Sequence, residues 1–388
     1  MIIKPRVRNF ICLTAHPVGC ASAVKRQIEY VKNQPPIDGP KRALIIGTST
    51  GYGLASRIAA AFGLGADTVG VMLEKPSRGK RTATAGYYNN LAFEEAARAD
   101  NLVAVTINGD AFSAECKTET IAAIKDNLGQ VDLIVYSLAA PRRTDSDGTT
   151  WSSVIKPTGE TFVGKTLNLS DNTVDIATLE PATEEEVAAT IKVMGGEDWA
   201  QWLRALRDAD ALAPNAVTLA YSYIGPEMTH AIYRDGSIGQ AKKDLYRTAD
   251  SLNEEFSEQN LTAKVSVNKA VVTQASAAIP SVSLYISVLY KLMKEEGSHE
   301  GCIEQMYRLL AEKVYGEAGI TTDEDGLIRL DDWEMKPDLQ AQVKDIWNSI
   351  ETDNLAELAD VDGYWEDFYQ MFGFYMPDVD YEADITDY

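Results

Sequence analysis

Short apolar runs alternate with amphipathic stretches between residues 43 and 137. The runs predict strands, at 43–46, 68–73, 102–107 and 132–137. The stretches between them place apolar residues at helical spacing and predict helices, at 53–63, 88–99 and 114–128. This alternation of strand and helix predicts an α/β fold with a doubly wound parallel sheet. Ligands of such sheets bind beyond the carboxyl ends of the strands, so the residues there are candidates for a site.

The remaining chain continues the pattern with additions. A fifth strand is predicted at 216–223 and a sixth at 264–272, with a helix from about 237 to 256 between them. Polar turns and short β-like runs at 145–182 predict an inserted hairpin or arm, and two helices follow it. After residue 280 the pattern predicts four helices and a hairpin, at 282–295, 299–314, 337–351, 362–372 and 321–330. We expect one enlarged domain over 1–388, with additions at about 145–215 and 280–375.

Two apolar stripes in these additions allow two interpretations each. Trp199, Trp202 and Leu206 share one helix face and form either core or the wall of an apolar tunnel. A second stripe either lines a substrate pocket or is ordinary core, and it consists of Leu284, Ile286, Leu289, Leu292 and Met293. Periodicity alone does not separate these interpretations.

The turn after the first strand of the sheet is rich in glycine. It reads Gly47-Thr48-Ser49-Thr50-Gly51-Tyr52-Gly53 and opens a helix. A strand, glycine turn and helix bring backbone N–H groups and the positive helix end close to a pyrophosphate. The next strand ends in Leu73-Glu74, about 20 residues later, where a carboxylate binds the ribose of a dinucleotide. The pair favours dinucleotide binding over a plain strand-to-helix connection.

The nature of this carboxylate bears on cofactor choice. A carboxylate binds a ribose 2′-OH and repels a 2′-phosphate, so Glu74 favours NADH over NADPH. The loop from Lys75 to Gly86 follows it directly and carries four cations, Lys75, Arg78, Lys80 and Arg81. This loop either closes over an anionic ligand or is an ordinary solvated loop. Its charge leaves some use of NADPH open.

The ends of the third and fourth strands offer further candidates. Asp110, followed by Ala111, either accepts a hydrogen bond from adenine or caps the next helix. Leu138-Ala139 are small or apolar residues against which a cofactor can lie. Arg142 and Arg143 follow them and meet either phosphates or surface carboxylates.

Composition narrows the classes of partner. The chain has 388 residues, 36 Lys and Arg, 58 Asp and Glu, and a formal net charge of −22. Such an acidic chain repels nucleic acid and anionic membranes, which argues against both as partners. No apolar run reaches the roughly 18 residues of a membrane span, and four scattered cysteines favour a cytoplasmic protein with free thiols. The three histidines are too dispersed to predict a metal site.

Tyr233 and Lys242 are the candidates for the chemistry of hydride transfer. Short-chain reductases use Tyr-x3-Lys, which places both residues on one helix face. Here the spacing is nine, and on a continuous helix about 900° of rotation would place them on opposite sides. The pair works only if Tyr233 precedes the helix, with Ser237 as the N-cap and Lys242 in the second turn. A lysine near a phenol lowers the pKa of the phenol. The alternative is a core tyrosine and a surface lysine.

The segment from Tyr233 to Lys243, YRDGSIGQAKK, resembles the Tyr-x8-Lys segment of the trans-2-enoyl-CoA reductase family, which includes the V-type enoyl-ACP reductases. The resemblance covers nearly the whole chain. It extends to MIIKPRVR at residue 1, the turn at 47–53, YSLAAPRR at 136, VMGGEDW at 193, VVTQAS at 271 and HEGCIEQ at 299.

The resemblance implies an enlarged short-chain-reductase fold of Rossmann type that reduces trans-2-enoyl thioesters with NADH. It implies that Tyr233 is the proton donor, that Lys242 holds the nicotinamide ribose and that Tyr223 binds substrate. Cofactor contacts are implied at Gly47, Thr48, Ser49, Thr50, Gly51, Tyr52, Leu73, Glu74, Asp110, Ala111, Leu138, Ala139, Val271, Val272 and Thr273.

Two other functions compete with this interpretation. A carbonyl or 3-ketoacyl reductase on the same fold also needs Tyr and Lys. A non-catalytic NADH-binding protein would bind without turnover, and the presence of both Tyr233 and Lys242 counts against it. The sequence does not decide which carrier holds the acyl group, although it favours short acyl-CoA over acyl carrier protein. We expect a monomer without a metal.

Overall fold

The computed structural model describes residues 1–8 and 11–385. Its strands are β1 Val7–Arg8, β2 Ile11–Cys12, β3 Arg42–Ile46, β4 Asp67–Met72, β5 Ala104–Asn108, β6 Val131–Tyr136, β7 Arg142–Thr144, β8 Thr150–Ser152, β9 Phe162–Asn168, β10 Thr173–Leu179, β11 Leu212–Ser222, β12 Thr262–Val267 and β13 Ile328–Arg329. Its α-helices are α1 Pro17–Lys32, α2 Gly51–Ile58, α3 Ala85–Ala99, α4 Ala114–Asn127, α5 Glu184–Met194, α6 Glu197–Asp208, α7 Ser237–Glu255, α8 Val282–Glu296, α9 Cys302–Arg308, α10 Pro337–Ser349, α11 Leu355–Leu358 and α12 Val361–Gln370. Single π-helical segments continue α2 over Ala59–Gly63 and α9 over Leu309–Val314.

Seven parallel strands form the central sheet, in the order β13-β12-β11-β6-β3-β4-β5. Strand order reverses between β3 and β6, because β4 and β5 follow β3 on one side while β6, β11 and β12 lie on the other. Such a reversal opens a crevice at the carboxyl ends of the two strands. The predicted doubly wound α/β fold is confirmed.

The sheet is apolar because helices cover both of its faces. Leu44, Ile45 and Ile46 of β3 are fully buried, as expected of a central parallel strand. Trp199 and Trp202 of α6 are also fully buried, and the Trp199 indole N–H donates to the Thr218 hydroxyl at 2.8 Å. This stripe therefore belongs to the core and does not wall a tunnel.

The predicted insertion is present as two antiparallel pairs. β9 pairs with β10 over seven residues, and β7 pairs with β8 over three. Helix α8 packs against β9 and is buried on nearly all sides, with Leu284, Ile286 and Leu289 fully buried in the apolar cluster that also holds Tyr233. The second apolar stripe is thus core that adjoins the predicted site.

Three predictions about local structure were wrong. The segment 321–330 is not a hairpin, because Ile328–Arg329 adds to the edge of the sheet parallel to β12. The sixth strand ends at Val267 instead of residue 272, since the following residues leave the sheet. Ser237 is not an N-cap but the first residue of α7, and its hydroxyl donates to the Val154 carbonyl oxygen at 2.6 Å.

Within the described residues, no helix has both the length and the apolar character needed to cross a membrane.

Candidate active site

The glycine turn lies in the crevice between β3 and β6. The N–H groups of Gly47 and Thr48 donate to the Val71 carbonyl oxygen at 2.9 Å, which binds the turn to β4. Gly47 has φ +99°, and a Cβ there would stand 2.1 Å from the Ser137 carbonyl oxygen. Only glycine fits this approach. Helix α2 begins at Gly51, and the Thr50 side chain does not cap it, so its first N–H groups remain available for an anion.

Three polar residues that were not predicted from the sequence hold the glycine turn through hydrogen bonds from helices α2 and α3. The amide groups of Asn89 and Asn90 on α3 donate to the carbonyl oxygens of Ser49 and Thr48 at 3.1 and 3.0 Å. Arg57 on α2 is fully buried and donates to the Asn90 side-chain oxygen at 2.9 Å. The two asparagines lie about 40 residues from the turn along the chain, so no local sequence pattern connects them to it.

Glu74 lies against the turn, as predicted. A Cβ added to Gly86 would stand 2.5 Å from its Oε1 and 2.6 Å from the Ser49 Cβ, so the carboxylate, Gly86 and Ser49 are close neighbours. The Glu74 backbone is clamped by the Asn108 side chain, which accepts from its N–H at 2.8 Å and donates to its carbonyl oxygen at 2.9 Å. Leu73 beside it is 69% exposed.

Asp110 does not cap the next helix. Its carboxylate is exposed and accepts from the Phe112 N–H at 3.0 Å, whereas Ser113 is the N-cap of α4 and accepts from the Cys116 N–H. The capping interpretation is therefore wrong, and the outward side of the carboxylate faces solvent. Ala111 next to it is buried.

The segments that follow β6 and β12 complete the crevice. Leu138 contacts Gly47, because a Cβ on this glycine would stand 3.1 Å from the Leu138 Cδ2, and Ala139 is exposed. Thr273 contacts Gly51, with 3.5 Å from its Cγ2 to a Cβ built there. The preceding residues, Val271 and Val272, are buried.

Tyr52 connects the turn to the segment after β12. Its hydroxyl donates to the Lys269 carbonyl oxygen and lies 3.2 Å from the Gln305 side-chain oxygen. Burial raises the pKa of this phenol well above its usual value. Tyr52 therefore acts as a structural link in this arrangement, with its hydroxyl turned away from solvent.

Tyr233 precedes α7, and Lys242 lies in the second turn of that helix, as the nine-residue spacing required. The reason for the spacing is a tight turn at 230–236 that packs directly on the helix. A Cβ at Gly239 would stand 2.0 Å from the Arg234 carbonyl oxygen and 2.4 Å from that of Tyr233, so the helix approaches the turn only at a glycine.

The environments of the two side chains differ. The Lys242 ammonium donates to the Tyr221 carbonyl oxygen at 2.8 Å, and burial lowers its pKa to about 8. Tyr233 is 7% exposed, and burial raises the pKa of its phenol, so it is protonated at neutral pH. Lys242 and Tyr223 both contact the end of β11, and the rings of Tyr223 and Tyr233 meet edge to face at 4.8 Å.

Tyr223 is held from its other end by Glu334, which the sequence did not reveal. The Tyr223 hydroxyl donates to the Glu334 Oε1 at 3.0 Å. Glu334 is fully buried although it lies more than 100 residues away in the chain. No local pattern connects the two residues, so only the tertiary structure brings them together.

The arginines after β6 separate in the structure. Arg143 is 4% exposed and pairs with Asp145 at 2.9 Å and Glu197 at 3.0 Å. It is therefore an internal ion-pair residue, and the phosphate interpretation is wrong for it. Arg142 is exposed.

The structure thus brings the glycine turn, Glu74, Leu138 and Thr273 to one crevice, with Tyr233 and Lys242 at the end of the neighbouring strand β11. Sheet order and crevice together define a Rossmann-type nucleotide-binding protein. Three family models match the chain: "Trans-2-enoyl-CoA reductase catalytic region" over residues 81–315, "NAD(P)H binding domain of trans-2-enoyl-CoA reductase" over 2–79, and "Enoyl reductase FAD binding domain" over 322–385.

Individual relatives cover almost the whole chain. A trans-2-enoyl-CoA reductase [NADH] from Ruminiclostridium cellulolyticum is 52% identical over 99% of this chain and 98% of its own. An enoyl-[acyl-carrier-protein] reductase [NADH] from Opitutus terrae is 55% identical with the same coverage. The crystal structure of Treponema denticola trans-2-enoyl-CoA reductase in complex with NAD has a TM-score of 0.95, 49% identity and coverage of 99% and 98%. This chain belongs to the trans-2-enoyl-CoA reductase family, which confirms the resemblance found in its sequence.

Proposed function

We propose that this protein reduces trans-2-enoyl thioesters to saturated acyl thioesters with NADH. Two observations support the proposal in a chain that belongs to this family. The glycine turn lies in the crevice between β3 and β6, and Tyr233 and Lys242 lie at the end of the neighbouring strand β11. Hydride transfer to an enoyl thioester requires a phenol that is protonated at neutral pH, and the half-buried ammonium of Lys242 can bind the cofactor.

Tyr233 and Lys242 have different roles in the proposed reaction. NADH, when bound, supplies the hydride, which forms a bond to the β-carbon. The electron pair of the double bond then moves toward the thioester oxygen, and the Tyr233 hydroxyl donates a hydrogen bond to that oxygen as it becomes negative. The α-carbon then takes a proton from the Tyr233 hydroxyl or through water, while the electron pair on oxygen returns to the carbonyl. If Tyr233 gave the proton, solvent returns one to the phenol. Lys242 donates one N–H to Tyr221 and has two left for the hydroxyls of the nicotinamide ribose.

Glu74 supports NADH as the preferred cofactor. Its carboxylate lies beside the glycine turn, where the adenine ribose of a dinucleotide binds. A 2′-phosphate there would meet a negative charge at close range. Leu73 and Asp110 flank the position expected for adenine, one with an apolar side chain and one with an acceptor.

The residues matched by the flavin-named family model do not fit a flavin dinucleotide. Residues 322–385 contain nineteen Asp and Glu and only three Lys and Arg. The negative charge of this segment repels a pyrophosphate. The described helix starts in this segment are acidic as well, since Asp360 caps α12 and Asp338 lies in the first turn of α10. The proposed reaction therefore uses no flavin.

We infer that the basic loop after Glu74 favours a phosphate-bearing carrier, with short acyl-CoA ahead of acyl carrier protein. Thr84 closes the loop by donating its N–H to the Lys75 carbonyl oxygen at 3.1 Å, and Arg78 pairs with Arg81 through their backbones. All four cations of the loop are exposed in a chain of net charge −22. Rates with enoyl-CoA and enoyl-ACP of rising acyl length test this inference.

A single chain contributes every side chain of the proposed site, which supports a monomer. The four cysteines are free thiols, which fits the reducing cytoplasm. Sedimentation or light scattering of the purified protein measures the first property.

The function is tested by oxidation of NADH with crotonyl-CoA and, in parallel, with acetoacetyl-CoA. We expect turnover with crotonyl-CoA, and turnover with the ketone alone would support a carbonyl reductase instead. Tyr233→Phe should lower kcat by about 100-fold or more, because it removes a donor to the developing oxyanion. Tyr307→Phe is the matched control, since its hydroxyl bonds to the Pro35 carbonyl oxygen at 2.7 Å, away from the crevice.

A further inference from the structure

Glu334 is a buried carboxylate with three hydrogen-bond donors around it. Its Oε1 accepts from the hydroxyls of Tyr285 at 2.6 Å and Tyr223 at 3.0 Å, and its Oε2 accepts from the Ala270 N–H at 2.7 Å. The side chain is fully buried. A carboxylate at such a depth is tolerated only when hydrogen bonds or a counter-charge replace water, and here both are present.

The counter-charge is Lys269, which is 1% exposed and follows β12. Burial raises the pKa of Glu334 above its usual value, and the charge of Lys269 and the hydrogen bonds from Tyr285 and Ala270 oppose that rise. Three donors directed at the two oxygens stabilise the ionised form. In the hydrogen bond between the two residues, the Tyr223 hydroxyl is the donor and the Glu334 Oε1 is the acceptor.

The single hydroxyl proton of Tyr223 is therefore directed at Glu334 and not at the crevice. What Tyr223 presents toward Tyr233 is its ring, edge to face, at a centroid distance of 4.8 Å and an angle of 83°. The backbone of Tyr223 is fixed by the end of β11, and its hydroxyl is fixed by Glu334. Because the Tyr223 side chain is held at both ends, its ring forms a rigid surface against which Tyr233 packs.

We propose that Glu334 is a positioning residue, which holds the Tyr223 hydroxyl and thereby fixes the ring of Tyr233 against the substrate. The inference rests on the proposed function, in which the Tyr233 hydroxyl donates to the thioester oxygen. It assigns Tyr223 a role through its ring, with its hydroxyl as an anchor. A displaced donor weakens transition-state binding more than ground-state binding, so the effect falls on kcat.

A double-mutant cycle between Glu334 and Tyr223 tests the proposal with crotonyl-CoA and NADH. Glu334→Gln keeps the shape but turns an N–H2 group toward one of the donors, and Tyr223→Phe removes the hydroxyl that is held. Each single change should lower kcat about tenfold with little change in the KM for NADH. The kcat of the double variant should lie within about twofold of the kcat of either single variant, because both changes release the same Tyr223 ring.

Glu300→Gln is the matched control for burial. Glu300 is 4% exposed and pairs with Arg308 at 2.7 Å, so this change should lower the melting temperature and leave kcat unchanged. Multiplied losses in the double variant would overturn the proposal, as would a change confined to KM. Absence of crotonyl-CoA turnover by the unaltered protein would instead overturn the proposed function.

Tyr285→Phe keeps the proposal testable if Glu334→Gln does not fold. Tyr285 donates to the same carboxylate oxygen but makes no ring pair with Tyr233 within the described residues. We expect kcat to fall less in Tyr285→Phe than in Tyr223→Phe, because Glu334 then keeps its hydrogen bonds from Tyr223 and the Ala270 N–H. Equal losses in the two tyrosine variants would contradict the proposal.

Discussion

Replacing Lys242 by methionine should lower the activity by orders of magnitude without weakening the fold. Within the described residues, the ammonium makes one hydrogen bond, to the Tyr221 carbonyl oxygen at 2.8 Å, and burial lowers its pKa from 10.5 to about 8. That drop corresponds to about 3 kcal/mol that folding loses by keeping the group charged at this depth. The lost hydrogen bond of a charged group offsets about 1.5–3 kcal/mol of this. The free energy of unfolding should therefore stay unchanged or rise slightly.

The sign of the pH dependence follows from the same pKa. Below pH 8 the ammonium is protonated in both the folded and the unfolded chain, so its full destabilising cost is present. As pH rises from about 8 to 10.5, the folded protein loses the proton first, and stability attributable to this group increases. The activity behaves in the opposite way, because the charged form is the one that binds the ribose hydroxyls. The kcat/KM for NADH should fall above pH 8, since it reports the free enzyme.

The assay combines thermal melting with kcat/KM for NADH, at pH 7 and across pH 6 to 10. Lys242→Met should lose about 10²–10⁴ in kcat/KM, from two charge-assisted hydrogen bonds to the cofactor. Lys243→Met on the same helix turn is the matched control, because its side chain is exposed, and it should retain activity. A fall in melting temperature together with activity would show that Lys242 is mainly structural. Near-normal activity would refute its role in cofactor binding.

Three further results are expected. Glu74→Ala should lower the ratio of kcat/KM with NADH to kcat/KM with NADPH about tenfold, because the change removes the charge that repels a 2′-phosphate. An unchanged ratio would show that this carboxylate does not contact the ribose. Gly239→Ala should lower both melting temperature and kcat, since its Cβ would overlap the Arg234 carbonyl oxygen, whereas Gly159→Ala meets no atom within 4 Å and should change neither. Arg143→Met should lower the free energy of unfolding by only about 1 kcal/mol in thermal or urea unfolding, because Asp145 and Glu197 are partly exposed and keep Lys192 as a partner. It should leave the KM for NADH unchanged, and a raised KM would restore the phosphate interpretation.

Much of the fold could be predicted because its signals are local. The apolar runs that became β3, β4, β5 and β6 are continuous because both faces of the sheet are covered, and the helices between them have regular apolar stripes. The edge strand β13 gave no such signal, since two residues are too few to show a period. The start of α7 was misplaced by one residue, because Ser237 is recruited by the distant Val154 carbonyl oxygen.

The sequence by itself determined the chemistry available at the site: a glycine turn, a carboxylate about 20 residues later, and a tyrosine and lysine nine apart. These signals are local because phosphate binding needs N–H groups from one turn, and the tyrosine and lysine lie next to one helix start. Tertiary structure alone decided that Arg57 and Asn90 brace the turn and that Arg143 lies in an ion pair. It alone joined Tyr223 to Glu334, because a buried carboxylate takes its partners from whichever elements pack around it, however far apart they lie along the chain.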